Sequence, residues 1–142
     1  MNDTFTPAFA SASDRPPIPR SALKVLVVDD DTFQLALMSD ILQGLGVSDV
    51  STAESGAQAL DKIGVFPERF NLILLDLHMP GMDGFQFMEA AANAGFSGGL
   101  IIASGQSDAV LHAASLVAKL RRFRLLGSVS KPVGKDALSA LI

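Results

Sequence analysis

Short apolar runs recur along this chain, and each one stops on a polar residue. Val25-Leu26-Val27-Val28 runs into Asp29, Asp30 and Asp31, and Leu72-Ile73-Leu74-Leu75 runs into Asp76. Leu100-Ile101-Ile102-Ala103 ends at Ser104, and Ser128-Val129-Ser130 ends at Lys131. Unbroken apolar runs of this length read as strands buried on both faces of a parallel sheet. The pattern predicts strands at residues 23–28, 49–53, 72–75, 100–103 and 125–130.

Helical spacing fills the intervals. Residues 32–45 form a helix with Leu37, Met38, Ile41, Leu42 and Leu45 on its inner face and Gly46 beyond its end. Ser55 caps a helix carrying Ala59, Leu60 and Ile63, stopped near Gly64. Asp83 caps a third helix through Phe87 and Met88 to about Asn93. Ser107 or Asp108 starts a fourth, with Val110, Ala114, Val117 and Leu120 inward, and a last helix begins at Lys135. Strands alternating with helices predict an α/β fold: a three-layer, doubly wound, five-stranded parallel sheet. Right-handed crossovers leave few topologies, and the flavodoxin-like order 2-1-3-4-5 is the common one at this size.

That order sets the first and third strands side by side. Ligands of such sheets bind outside the carboxyl ends of the strands, so Asp29, Asp30 and Asp76 share one crevice. Clustered acids repel unless a cation or a shared proton neutralises them. Three hard oxygen donors suit Mg²⁺. A carboxylate can also act as a nucleophile towards phosphorus, with Lys131 as cation and Ser104 as hydroxyl for the phosphoryl oxygens. Helix capping accounts for Asp31. It does not account for Asp76, which a loop (Leu77-His78-Met79-Pro80-Gly81-Met82) separates from any helix.

Composition narrows the rest. The length of 142 residues fits one domain, and 49% hydrophobic content supports a core. Residues 1–20, with Pro7, Pro16, Pro17 and Pro19, read as a disordered tail before a domain at 21–142. The net charge of −4 argues against nucleic-acid binding through this domain. The chain has no cysteine for disulfides or thiolate metal sites, and no apolar run long enough to span a bilayer. A cytoplasmic domain with no membrane contact is the expectation. Lys119, Arg121, Arg122 and Arg124 make a basic cluster, read first as cations at a helix C-terminus and second as a docking surface. His112 reads as a surface residue.

These segments resemble the receiver domain of two-component response regulators. The resemblance covers residues 23–142 and rests on Val-Leu-Val-Val-Asp-Asp-Asp (25–31), Leu-Leu-Asp-Leu-His-Met-Pro-Gly-Met-Asp-Gly (74–84), Ile-Ile-Ala-Ser-Gly (101–105) and Lys131-Pro132. It implies Asp76 as phosphoacceptor and Mg²⁺ as cofactor. The metal would be held directly by Asp30, Asp76 and the backbone carbonyl of His78, and through water by Asp29. It also implies Ser104 and Lys131 on the phosphoryl oxygens and a cis bond before Pro132. Phosphate would come from a sensor histidine kinase or a phosphotransfer protein. The His78 side chain and Gln106 are candidates for tuning phosphate lifetime. The only enzymatic chemistry implied is transfer to itself and loss from itself.

Three departures from the family stand out. Ser128 occupies the position where receivers usually carry an aromatic residue, which puts the usual output coupling in question. The stretch from Ser104 to Lys131 is long, and 118–127 resembles receivers fused to EAL-type cyclic-di-GMP phosphodiesterases. The chain stops at Ile142, soon after the last helix begins, so a truncated last helix and an effector in cis or in trans are expected. A homodimer through the fourth helix, fifth strand and last helix is a further expectation. The alternative is a phosphorylation-independent interaction module. A haloacid-dehalogenase-type hydrolase is disfavoured, since His78 stands where that type needs a second acid. No glycine-rich phosphate loop follows the first strand.

Overall fold

Buried on both faces, the apolar runs assemble into one sheet. The computed structural model describes residues 18–105 and 108–142. Residues 1–17, Gln106 and Ser107 lie outside the described residues, and with them most of the expected tail and one tuning candidate. The strands are β1 (Lys24–Val28), β2 (Asp49–Ala53), β3 (Leu72–Asp76), β4 (Gly99–Ser104) and β5 (Arg124–Ser130). All pair in parallel in the order β2-β1-β3-β4-β5. The helices are α1 (Thr32–Gly44), α2 (Gly56–Val65), α3 (Gly84–Asn93), α4 (Asp108–Leu120) and α5 (Lys135–Ser139).

Side-chain alternation along the strands splits the core into two layers. Val25, Val27, Leu72, Leu74, Ile101 and Ala103 pack with Leu35, Met38 and Leu42 of α1 and Leu138 of α5. Leu26, Val28, Ile73, Leu75, Leu100 and Ile102 pack against α2, α3 and α4. Each buried leucine or methionine in these layers contributes roughly 1.5–3 kcal/mol through burial. The middle strands β3 and β4 are buried along their whole length, whereas β5 at the edge is half-exposed.

The caps follow the sequence. Asp31 accepts from the Phe33 and Gln34 N–H groups, and Ser55 accepts from that of Gln58. Asp83 and Gln86 form a reciprocal capping box. Helix α2 ends at Val65, beside Gly64, as the sequence reads it. Two helical readings need correction. The fully buried face of α1 is Leu35, Met38 and Leu42, with Ile41 and Leu45 partly buried against the same core; Leu37 is not part of it, and the helix ends at Gly44. On α4 the buried positions are Ala114 and Ala118, while Leu120 is 79% exposed. Small side chains let α4 lie close to the sheet, and hydropathy weighting underrates them.

Two residues ahead of 21 also contact the folded core. Ile18 packs on the α1 side of the core. The Arg20 guanidinium donates to the Leu45 carbonyl at 3.4 Å, and to the Ser139 carbonyl and hydroxyl at 3.0 Å each.

Candidate functional site: an acidic crevice at the strand ends

The parallel register brings the C-terminal ends of β1, β3 and β4 to one edge. Val28 pairs with Leu75, Asp76 with Ala103, and Ser104 with Ser130. Asp29 is fully buried and Asp76 is 4% exposed, while Asp30 is exposed. One carboxylate oxygen from each of Asp29, Asp30 and Asp76 falls within a 4.8 Å cluster. The sequence placed these three acids together, and the structure does so.

Two buried acids this close need compensation. Lys131 supplies part of it, with its Nζ 2.5 Å from Asp29 Oδ2 and 3.2 Å from Asp76 Oδ1. The Lys131-Pro132 bond is cis, as the resemblance implied. Backbone donors supply more. The Asp31 N–H donates to Asp29 Oδ1 at 2.9 Å, and the His78 N–H donates to Asp76 Oδ1 at 3.2 Å. Asp31 thus has two duties: its side chain caps α1 while its amide holds Asp29.

The balance at Asp76 is unfavourable to charge. Burial pushes its carboxyl above the ordinary 3.8, the His78 amide works against that, Asp29 adds to it, and Lys131 opposes it. Burial alone would lower the Lys131 ammonium. The hydrogen bond to Asp29 and the charges of Asp76 and Asp29 outweigh burial and hold it above 10.5. The crevice therefore has room in its electrostatics for a further cation, and its donors are hard oxygens.

Ser104 is 2% exposed at the end of β4, and its carbonyl accepts from the Lys131 N–H at 3.2 Å. The His78 side chain is exposed, and its backbone amide is the group that reaches Asp76. Leu77 and Met79 are buried on either side of it and anchor the loop. Gly84 closes that loop: a Cβ there would come 2.7 Å from the Leu77 Cα. Ser128 is exposed on β5, opposite Ile102.

The response regulator receiver domain profile matches residues 25–142. The chain belongs to that family. Among curated relatives of this receiver, the sensor protein GacS of Pseudomonas syringae pv. syringae is 37% identical over 90 residues, covering 63% of this chain and 10% of GacS. A protein-glutamate methylesterase/protein-glutamine glutaminase of Halobacterium salinarum is 47% identical over 64 residues, covering 44% of this chain and 18% of that protein. The chain thus spans a small part of these relatives. Among solved structures, Vibrio cholerae chemotaxis protein CheY4 superposes with a TM-score of 0.68 at 26% identity, covering 84% of this chain and 98% of CheY4. The fold and strand order of the receiver are those the sequence led to. No helix among the described residues is long and apolar enough to cross a membrane.

Proposed function

We propose that this receiver takes a phosphoryl group on Asp76 from a sensor histidine kinase or a phosphotransfer protein, and that the modified domain controls an effector. The observation that supports this most is the Lys131 ammonium 3.2 Å from Asp76, inside a triad of clustered carboxylates. In this reading an Asp76 carboxylate oxygen attacks the phosphorus of a phosphoimidazole. The O–P bond forms as the P–N bond breaks, and the electron pair returns to the imidazole nitrogen. Lys131, released in part from Asp29 and Asp76, pairs with a phosphoryl oxygen, and the Ser104 hydroxyl donates to another. Asp30, Asp76 and the His78 carbonyl would hold Mg²⁺ directly, and Asp29 would reach it through water. The metal would supply positive charge that offsets the acids and the incoming phosphoryl group. The His78 side chain and Gln106 tune the lifetime of the acyl phosphate.

The reading assigns the chain no catalysis beyond self-phosphorylation and self-dephosphorylation, and it locates the domain in the cytoplasm. The receiver domain is taken as residues 21–142, after a tail of residues 1–20. The effector lies in cis or in trans, and an EAL-type phosphodiesterase is the candidate that 118–127 favours.

Incubation with Mg²⁺ and a small phosphodonor, followed by intact mass, tests the proposal. The expected result is a gain of one phosphoryl group, lost with a chelator and absent in Asp76→Asn. A wild-type protein that gains nothing would leave the phosphorylation-independent interaction module as the better account.

A further inference from the structure

Three helices of this fold end in the same hydrogen-bonded turn. In α1 the Gly46 N–H donates to the Gln43 carbonyl and the Val47 N–H to that of Leu42. In α3 Gly95 donates to Ala92 and Phe96 to Ala91; in α4 Arg122 donates to Lys119 and Phe123 to Ala118. Each turn places one residue in the left-handed region and a buried apolar residue after it. Two of the three positions hold glycine, Gly46 (φ 99°) and Gly95 (φ 101°). The third holds Arg122 at φ 65°, where an L side chain is disfavoured. The fold alone would favour glycine at residue 122. A side chain kept there against backbone preference points to a use for it.

The surroundings indicate the use. Four of the chain's eleven cationic side chains fall between residues 119 and 124 of a chain with net charge −4. Lys119 and Arg122 are exposed and have no ion-pair partner among the described residues; Arg121 pairs with Glu89 across the gap between α3 and α4. That gap is a groove of about 560 Å³ lined by Phe85, Gln86, Glu89, Val117, Leu120 and Arg121. Leu120 lines the groove and is 79% exposed, and Leu116, one turn before it on α4, is 49% exposed.

We propose that the α3–α4 groove docks an acidic amphipathic helix from a protein partner. Its large apolar residues seat on Leu116, Val117, Leu120 and Phe85, and its carboxylates meet Lys119, Arg121 and Arg122. A second copy of this chain is the poorer fit. Two-fold pairing of this face would bring the cations at 119–122 of the two copies towards each other, with Glu89, already paired with Arg121, as the acid among the groove-lining residues. The proposal is independent of phosphate chemistry at the acidic crevice.

The test is an NMR titration of the full ¹⁵N-labelled chain with a synthetic helical peptide carrying leucines at one-turn spacing flanked by glutamates. Shifts are expected in 85–89 and 113–122. Leu120→Ser should weaken binding about tenfold, as for a rim anchor. Arg122→Gly should raise the Tm while weakening the peptide, a split that a purely structural arginine would not give. The same peptide with lysines for glutamates should not bind. No shifts, shifts on another face, or unchanged affinity in Arg122→Gly would overturn the proposal. So would tighter binding of anionic vesicles or duplex DNA to the same residues, or shifts that grow with protein concentration alone and report a second copy.

Discussion

Asp76 carries a carboxyl that its surroundings hold above the ordinary value, burial first and Asp29 in addition, against the His78 amide and Lys131. For an acid whose pKa is raised on folding, the folded state binds the proton more tightly than the unfolded state does. Its stabilising contribution is present below the unfolded pKa and is lost as pH rises through the folded pKa. Asp76→Asn should therefore raise the Tm at neutral pH, with the advantage shrinking as pH falls towards 3.8. A pH series of thermal melts checks this; an advantage that grows on acidification would contradict it. Lys131 predicts the opposite kind of effect. Removing it in Lys131→Ala strands fully buried Asp29 without its 2.5 Å partner. The expected loss is about 3 kcal/mol or more by urea denaturation. A second substitution, Asp29→Asn, should restore most of it, and no recovery would count against the pairing. The acids were legible in the sequence because each closes an apolar run. Their partition was not: nothing local tells that Asp29 is buried on Lys131 while Asp30 faces solvent.

Among the elements, caps and strands were readable because their signals are local. Asp31, Ser55 and Asp83 act as the sequence reads them. The α4 face is misread because hydropathy weighting favours leucine, which puts Leu120 inside and overlooks Ala118, although alanine is what permits close approach to the sheet; on α1 the error is one of phase, Leu37 in place of Leu35. The α4 turn was missed for a related reason. Its usual marker is glycine, and here the surviving signal is buried Phe123 after an arginine. Long-range bonds leave no local trace at all. Arg20 joins the end of α1 to the end of α5, over a sequence separation of 119 residues to Ser139. Arg20→Ala should cost about 1.5 kcal/mol for the lost charged hydrogen bonds, and should speed amide exchange at 138–141. Exchange unchanged there would show that α5 is held by its packing alone.

At the scale of the whole molecule, sheet order does the assembling. With β1 between β2 and β3, residues far apart in sequence close one crevice, and the two-layer core fixes the strand ends that bear it. A metal held there binds the folded chain only, so Mg²⁺ should raise the Tm beyond an ionic-strength control. The gain is about 1.4 kcal/mol at roughly ten times the dissociation constant. Asp30→Asn, an exposed change, should blunt that shift without harming the metal-free fold, and an undiminished shift would move the metal elsewhere. The central claim is that Asp76 carries the phosphoryl group. Its most direct test is to phosphorylate the protein, reduce the acyl phosphate with borohydride, digest it, and locate the resulting homoserine by mass spectrometry. The account predicts conversion at residue 76 alone; conversion at residue 29 or 30, or at no aspartate, would contradict it.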